Sequence, residues 1–172
     1  MLCNFLVAAG VISSMLAATA PLPVVHIARI TIPPRSSVVT VDVELTRERR
    51  RLLAAAADPS RDILLDLEGI EAERSPAVFF EVYVHAKNAP RKRTAGNIAL
   101  FGQGIRSEAR GAFHPARMQL VITDDLRDAL RKSPMVAITF VAQGAGGLPS
   151  PRSASAMTIA RPSITVAPRT RQ

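Results

Sequence analysis

The chain has 172 residues, 48% of them hydrophobic, which is enough to bury a core in one ordinary domain and too many for a disordered chain. Its 22 Lys and Arg against 14 Asp and Glu leave a formal charge of +8, a balance that favours an anionic partner. The basic residues are scattered, however, and one Tyr, no Trp and six Phe set mostly inside apolar runs offer no stacking platform, which argues against nucleic-acid binding.

The first stretch, Phe5 to Ala20, is almost uninterruptedly apolar or small. It is shorter than the roughly 20 residues of a membrane-spanning helix, but it suits the apolar part of a secretory signal. Ala18-Thr19-Ala20 supplies the small-x-small pattern that precedes a cleavage site. Against that reading, Met1 to Asn4 carry no Lys or Arg, and Pro21 would follow the cut. The expectation is a signal peptide or membrane anchor over 1–20, hence an exported or membrane-anchored protein, periplasmic or extracellular. Any membrane association is expected through this segment. Cys3 is the sole cysteine, so no intrachain disulfide can form. A Pro-rich linker is expected over 21–36, a β domain over 37–168 and a disordered tail over 169–172.

Within the β domain, Val39, Val41, Val43 and Leu45 alternate with Thr40, Asp42 and Glu44, a period of two that places one set on a buried sheet face and the other in water. The same alternation recurs at Ile63, Leu65 and Leu67, at Phe80, Val82 and Val84, at Met118, Leu120 and Ile122, and at Val136, Ile138 and Phe140. Asn97 to Phe101, Ala156 to Ala160 and Ser163 to Ala167 read as weaker strands. Short strands between Gly and Pro signals predict a mainly β fold, an antiparallel β-sandwich or barrel-like domain. Two helices interrupt it. Arg47 to Ala57 is rich in helix formers and stops at Asp58-Pro59. The second begins at Thr123 or Asp124, either of which can cap it, with acids at its start, Arg131 and Lys132 at its end, and Ser133-Pro134 closing it. The run from Gly144 to Ser155 has no periodicity and reads as a loop.

Several of these segments carry a resemblance when taken in order. Phe79-Phe80-Glu81-Val82-Tyr83 resembles a Lys-Phe-Asp-Val-Tyr strand, with Phe for the Lys and Glu for the Asp. Upstream, Leu67-Glu68-Gly69-Ile70-Glu71 resembles a strand leading into a Glu-Gly-Ile turn. Downstream follow Ala95-Gly96-Asn97-Ile98-Ala99-Leu100-Phe101, then Val121-Ile122-Thr123-Asp124-Asp125-Leu126, then Met135 to Val141. This series, over roughly 60–167, resembles the C-terminal domain of the polyphenol oxidase (tyrosinase) family of type 3 copper enzymes. In that family the domain covers the entrance to a copper pair held by six histidines on a separate helical bundle, and keeps the enzyme latent. The motif positions here are Glu68, Gly69, Ile70, Phe80, Glu81, Val82, Tyr83, Gly96, Thr123 and Asp124.

The resemblance implies no catalytic residue, metal ligand or cofactor in this chain. Copper would belong to a tyrosinase-like partner domain. The three histidines His26, His85 and His114 are not in helical i, i+4 register. His85 shares a strand face with Glu81 and Tyr83, but no second cluster has metal-ligand spacing, and it reads as a hydrogen-bonded surface group. His114 sits in a turn, Phe113-His114-Pro115. Gly96, Gly102 and Gly104 do not lie between a buried strand and a helix and form no phosphate loop. Lys87 to Arg93 reads as a solvated hairpin connection. Phe101 and Phe113, in loop-like surroundings, are candidates for a side chain inserted into a partner's cleft, with core burial as the competing reading. Three functions are expected from this: a noncatalytic lid or maturation domain for a catechol oxidase, an exported β-sandwich module for an unrelated envelope partner, or the C-terminal fragment of a complete polyphenol oxidase.

Overall fold

The computed structural model describes residues 22–55, 58–91, 93–100, 103–106, 112–144 and 155–169. The expected signal or anchor over 1–20, the loop core 145–154 and Phe101 lie outside them. Among the described residues, nine strands and two helices run in the order β1 (Leu22–His26), β2 (Ile30–Ile32), β3 (Val38–Glu44), α1 (Arg47–Ala55), β4 (Arg61–Ala72), β5 (Phe79–Ala86), β6 (Gly96–Ile98), β7 (Ala116–Val121), α2 (Thr123–Lys132), β8 (Met135–Gln143) and β9 (Met157–Pro168).

The strands form two antiparallel sheets. One has the order β1-β9-β4-β7, with β2 also paired to β9; the other has the order β3-β8-β5-β6. The architecture is an open β-sandwich and not a closed barrel. Alternation explains which faces meet. Ile63, Leu65 and Leu67 of β4, Ile164 of β9 and Leu120 of β7 share one core with Val43 of β3, Phe80, Val82 and Val84 of β5, and Ile138 and Phe140 of β8. Phe80 and Phe140 are among the largest fully buried side chains. At roughly 1.5–3 kcal/mol for each fully buried large apolar side chain, this double row is the main source of stability.

Residues 21–36, expected as a linker, instead supply β1 and β2. Val25, Ile30 and Ile32 are buried, and both strands pair with β9, Leu22 to His26 opposite Val166 to Ser163 and Ile30 to Ile32 opposite Ile159 to Met157. Short strands among prolines carry little periodicity, and edge strands tolerate proline. The two strands expected at the end are one continuous twelve-residue strand, β9. Pro162 does not break it, because its carbonyl accepts the Ile27 N–H at 3.0 Å in the gap between β1 and β2, where no ladder bond from its nitrogen is required. The strand expected over Asn97 to Phe101 is Gly96–Ile98. Of the tail, Arg169 is held, its N–H donating to the Ser60 carbonyl at 2.7 Å and its guanidinium to Asp62 at 2.8 Å.

Both helices close the same end of the sandwich. α1 carries the chain from β3 to β4, and its first turn is capped by Thr46, whose hydroxyl accepts the Arg49 N–H at 3.3 Å. α2 carries it from β7 to β8. Neither Thr123 nor Asp124 caps α2: the cap position is Ile122, with no side-chain cap bond. The Thr123 hydroxyl instead accepts the buried Ile63 N–H at 2.9 Å, while the Ile122 N–H donates to the Ile63 carbonyl at 2.9 Å. The hydroxyl thus extends the β4–β7 ladder by one rung where β7 ends. Among the described residues no helix is long and apolar enough to cross a membrane.

Candidate functional site

The motif residues fall on two kinds of position. Phe80, Val82 and Ile70 are core, and several others are joints of the sandwich. Gly69 is a bulge residue at φ +72°, where β4 gains a residue relative to β7 while its register with β9 runs through unshifted. A Cβ there would come 2.8 Å from the Ala160 Cβ of the adjoining strand, so only glycine meets both the backbone and the space. Glu68 beside it pairs with Arg161 at 2.6 Å. Gly96 lies where the edge of one sheet meets the edge of the other. A Cβ there would come 2.6 Å from Leu120 Cδ2 on β7.

Glu81, Tyr83 and His85 share the outer face of β5, as the period of two predicts, and each is half-buried. Glu81 accepts from the Tyr83 hydroxyl at 2.7 Å and from the Gln143 amide at 2.8 Å. His85 donates from Nδ1 to its neighbour's carbonyl, Ala86 O, at 3.0 Å, which leaves Nε2 facing the Thr139 hydroxyl at 3.0 Å. That hydroxyl meets Thr40 at 3.0 Å. The hydrogen bond to Glu81 holds the Tyr83 hydroxyl above its ordinary pKa, helped by burial and by the carboxylate's charge; the Arg91 guanidinium, 5.5 Å from the ring centroid, opposes this. These side chains satisfy one another and do not converge on a common point.

The three histidines do not meet. His26 lies on the outer face of the first sheet and His85 on that of the second, while His114 follows Phe113 in the segment leading to β7. Among the described residues no group of three or more His, Cys, Asp or Glu is placed to hold a metal ion. The residues present therefore do not fit a copper pair.

Phe113 is half-buried at the end of the sandwich opposite the helices. The Arg106 guanidinium stands 4.3 Å from its ring centroid and is itself fixed by Glu71 at 2.7 Å. This places Phe113 as a braced, partly accessible aromatic, neither core nor free. Phe101 is not among the described residues. The connection from Lys87 to Arg93 is a hairpin, as expected, but among its described residues three charges are engaged: Lys87 with Asp42 at 2.7 Å, Arg91 over Tyr83, and Arg93 with Asp125 at 3.2 Å and Asp124 at 3.9 Å. Between this hairpin and α2 lies a cleft of about 390 Å³ lined by Arg93 of the hairpin and by Asp124, Asp125, Asp128, Arg131 and Lys132 of α2.

Sequence reasoning passed over one further group. Asp66, 5% exposed, lies on the outer face of β4 and takes two bonds from Arg117, at 3.1 and 2.5 Å, and one from Gln119 at 3.3 Å. Burial is the largest single influence and resists ionisation, but the bonds from Arg117 and Gln119, with the guanidinium's charge, together hold the carboxyl below its ordinary value. The only signal in the sequence was an acid at an outward position of a strongly alternating strand.

The fold and these side chains define a two-sheet antiparallel sandwich, closed by helices at one end and bearing a braced aromatic at the other. No protein-family model matches the chain, and no curated protein does. Among solved structures it is similar to latent apple tyrosinase, at 23% identity and a TM-score of 0.47, over 81% of this chain and 27% of that one. It is also similar to recombinantly expressed latent aurone synthase, a polyphenol oxidase, at 14% identity and a TM-score of 0.47, over 82% and 26% of the two chains. Latent aurone synthase from natural source is matched at 15% identity and a TM-score of 0.45, over 78% and 25%. The chain spans about a quarter of the length of these structures.

Proposed function

We propose that this chain is a noncatalytic lid or maturation domain that associates with a tyrosinase-like copper oxidase and shields the entrance to its copper site. The observation that carries this reading is the ordered motif series, whose segments form β4, β5, β6, α2 and β8 of one sandwich and include its glycine joints at Gly69 and Gly96. Copper would reside in the partner, since His26, His85 and His114 point to no common site. Phe113, held by Arg106 on the exposed loop end, is the side chain best placed to enter a partner's cleft. Export or anchoring through residues 1–20 would put the pair in the periplasm or outside the cell.

The test is to add the full chain to a tyrosinase-like oxidase stripped of its own C-terminal domain and to follow diphenol oxidation. The expected result is a stoichiometric fall in rate, reversed by limited proteolysis. Unchanged oxidation together with separate elution of the two proteins on a sizing column would refute the reading.

A further inference from the structure

At the helix-capped end, α1 and α2 line the two sides of a groove of about 370 Å³, within the size range of small-molecule clefts. From α1 come Arg50, Leu53 and Ala54, one stripe at i, i+3 and i+4; from α2 come Arg127, Leu130 and Arg131 at the same spacing. Ile63 of β4 lies beneath them. Leu53 and Ile63 are each 1% exposed, so the floor is apolar core seen from outside. The walls carry the guanidinium groups of Arg50, Arg127 and Arg131, of which Arg127 is paired with Asp124 at 3.7 Å, and among the described residues no carboxylate lines the groove. Arg50 Nε is buried and has no hydrogen-bond acceptor among the described residues, a costly state that an anion would relieve.

These two features select a chemistry together. An inorganic anion would leave the leucine floor unused, and an uncharged apolar molecule would leave the Arg50 donor unsatisfied. A polyphosphate would likewise leave the leucine floor unused. We propose that the groove binds a free amphipathic carboxylate of the fatty-acid type, its chain on Leu53, Ile63 and Leu130 and its head between Arg50 and Arg131. This stands apart from the lid reading, because the groove is at the end of the sandwich opposite Phe113.

The experiment is calorimetric titration of the full chain with dodecanoate below its micellar concentration, beside dodecanol and dodecyltrimethylammonium. Dodecanoate should bind at least tenfold tighter than either. Decanoate should bind more weakly, by about fourfold for each buried methylene lost. The double variant Arg50→Gln/Arg131→Gln should lose at least tenfold in dodecanoate affinity, with dodecanol binding and the thermal unfolding curve unchanged. Independently of any variant, a diazirine-bearing fatty acid should label peptides of α1 and α2 in the unaltered protein. Equal affinity for dodecanol and dodecanoate would mean that the groove takes an uncharged apolar occupant, such as the chain's own 5–20 stretch, and would overturn the proposal. Labelling confined to other peptides would overturn it too.

Discussion

Replacing Thr123 by valine isolates the rung that joins α2 to the sandwich. The two side chains have nearly the same shape, so no cavity opens. What is lost is the acceptor 2.9 Å from the Ile63 N–H, in a place where Thr123 is 3% and Ile63 1% exposed. A buried N–H left without a partner costs about 1–3 kcal/mol. The added methyl returns up to about 0.8 kcal/mol of apolar burial. The net destabilisation should therefore be about 1–2 kcal/mol, or roughly 3–8 °C in melting temperature for a domain of this size. Urea unfolding gives the stability, and amide hydrogen exchange at Ile63 locates its origin: protection there should fall in Thr123→Val and persist in Thr123→Ser, which keeps the oxygen. If Thr123→Val unfolded within 0.5 kcal/mol of the parent and Ile63 stayed protected, the hydroxyl would not be the rung described, and α2 would be docked by its apolar face alone.

Three further outcomes are expected. Tyr83 is the single tyrosine and there is no Trp, so absorbance near 295 nm reports it alone; its titration midpoint should lie above the ordinary 10.0 and fall back in Glu81→Gln, and a parent midpoint at or below 10.0 would refute the bond to Glu81. Because a raised tyrosine pKa favours the neutral form in the fold, the stability it contributes is complete below pH 10 and is lost as pH rises through the folded value. For Asp66 the sign is opposite: its folded pKa is depressed, so its contribution is complete above the ordinary 3.8 and is lost as pH falls through the folded value. Asp66→Asn should accordingly be less stable at pH 7 and show a flatter loss below pH 4 in acid-unfolding curves, and parallel curves for the two proteins would contradict this. Gly69→Ala should destabilise by at least about 1–2 kcal/mol in chemical denaturation, since it forces a side chain into positive φ and against Ala160; a neutral result would mean that the bulge can relax.

Much of the fold was legible because a strand with one buried face must alternate. Phe80, Val82 and Val84 inside, with Glu81, Tyr83 and His85 outside, follow from the period of two alone, as does the mainly β class from several such strands. The acids at the start of α2 and the bases at its end likewise mark a helix through the local field of its own backbone. What escaped were interactions whose partners are far apart in the chain. Asp66 reads as an ordinary outward acid until Arg117, 51 residues later, is laid beside it. β1 and β2 have too few residues to show a period, and they exist only because β9 offers them an edge. Thr123 looks like a cap because caps are local; its hydroxyl is drawn instead to an N–H sixty residues away.

The same division holds for function. Local sequence determined the sheet faces, the two helices and the dispersal of three histidines along the chain, since each depends on a residue's immediate neighbours or on composition. Tertiary structure alone decided that Phe113 is braced by Arg106, that Glu81 is spent on Tyr83 and Gln143, and that two arginine-leucine stripes on separate helices face each other over Ile63. The reason is physical: alternation and helix periodicity state which way a side chain points, and only the packing of distant segments states what it meets.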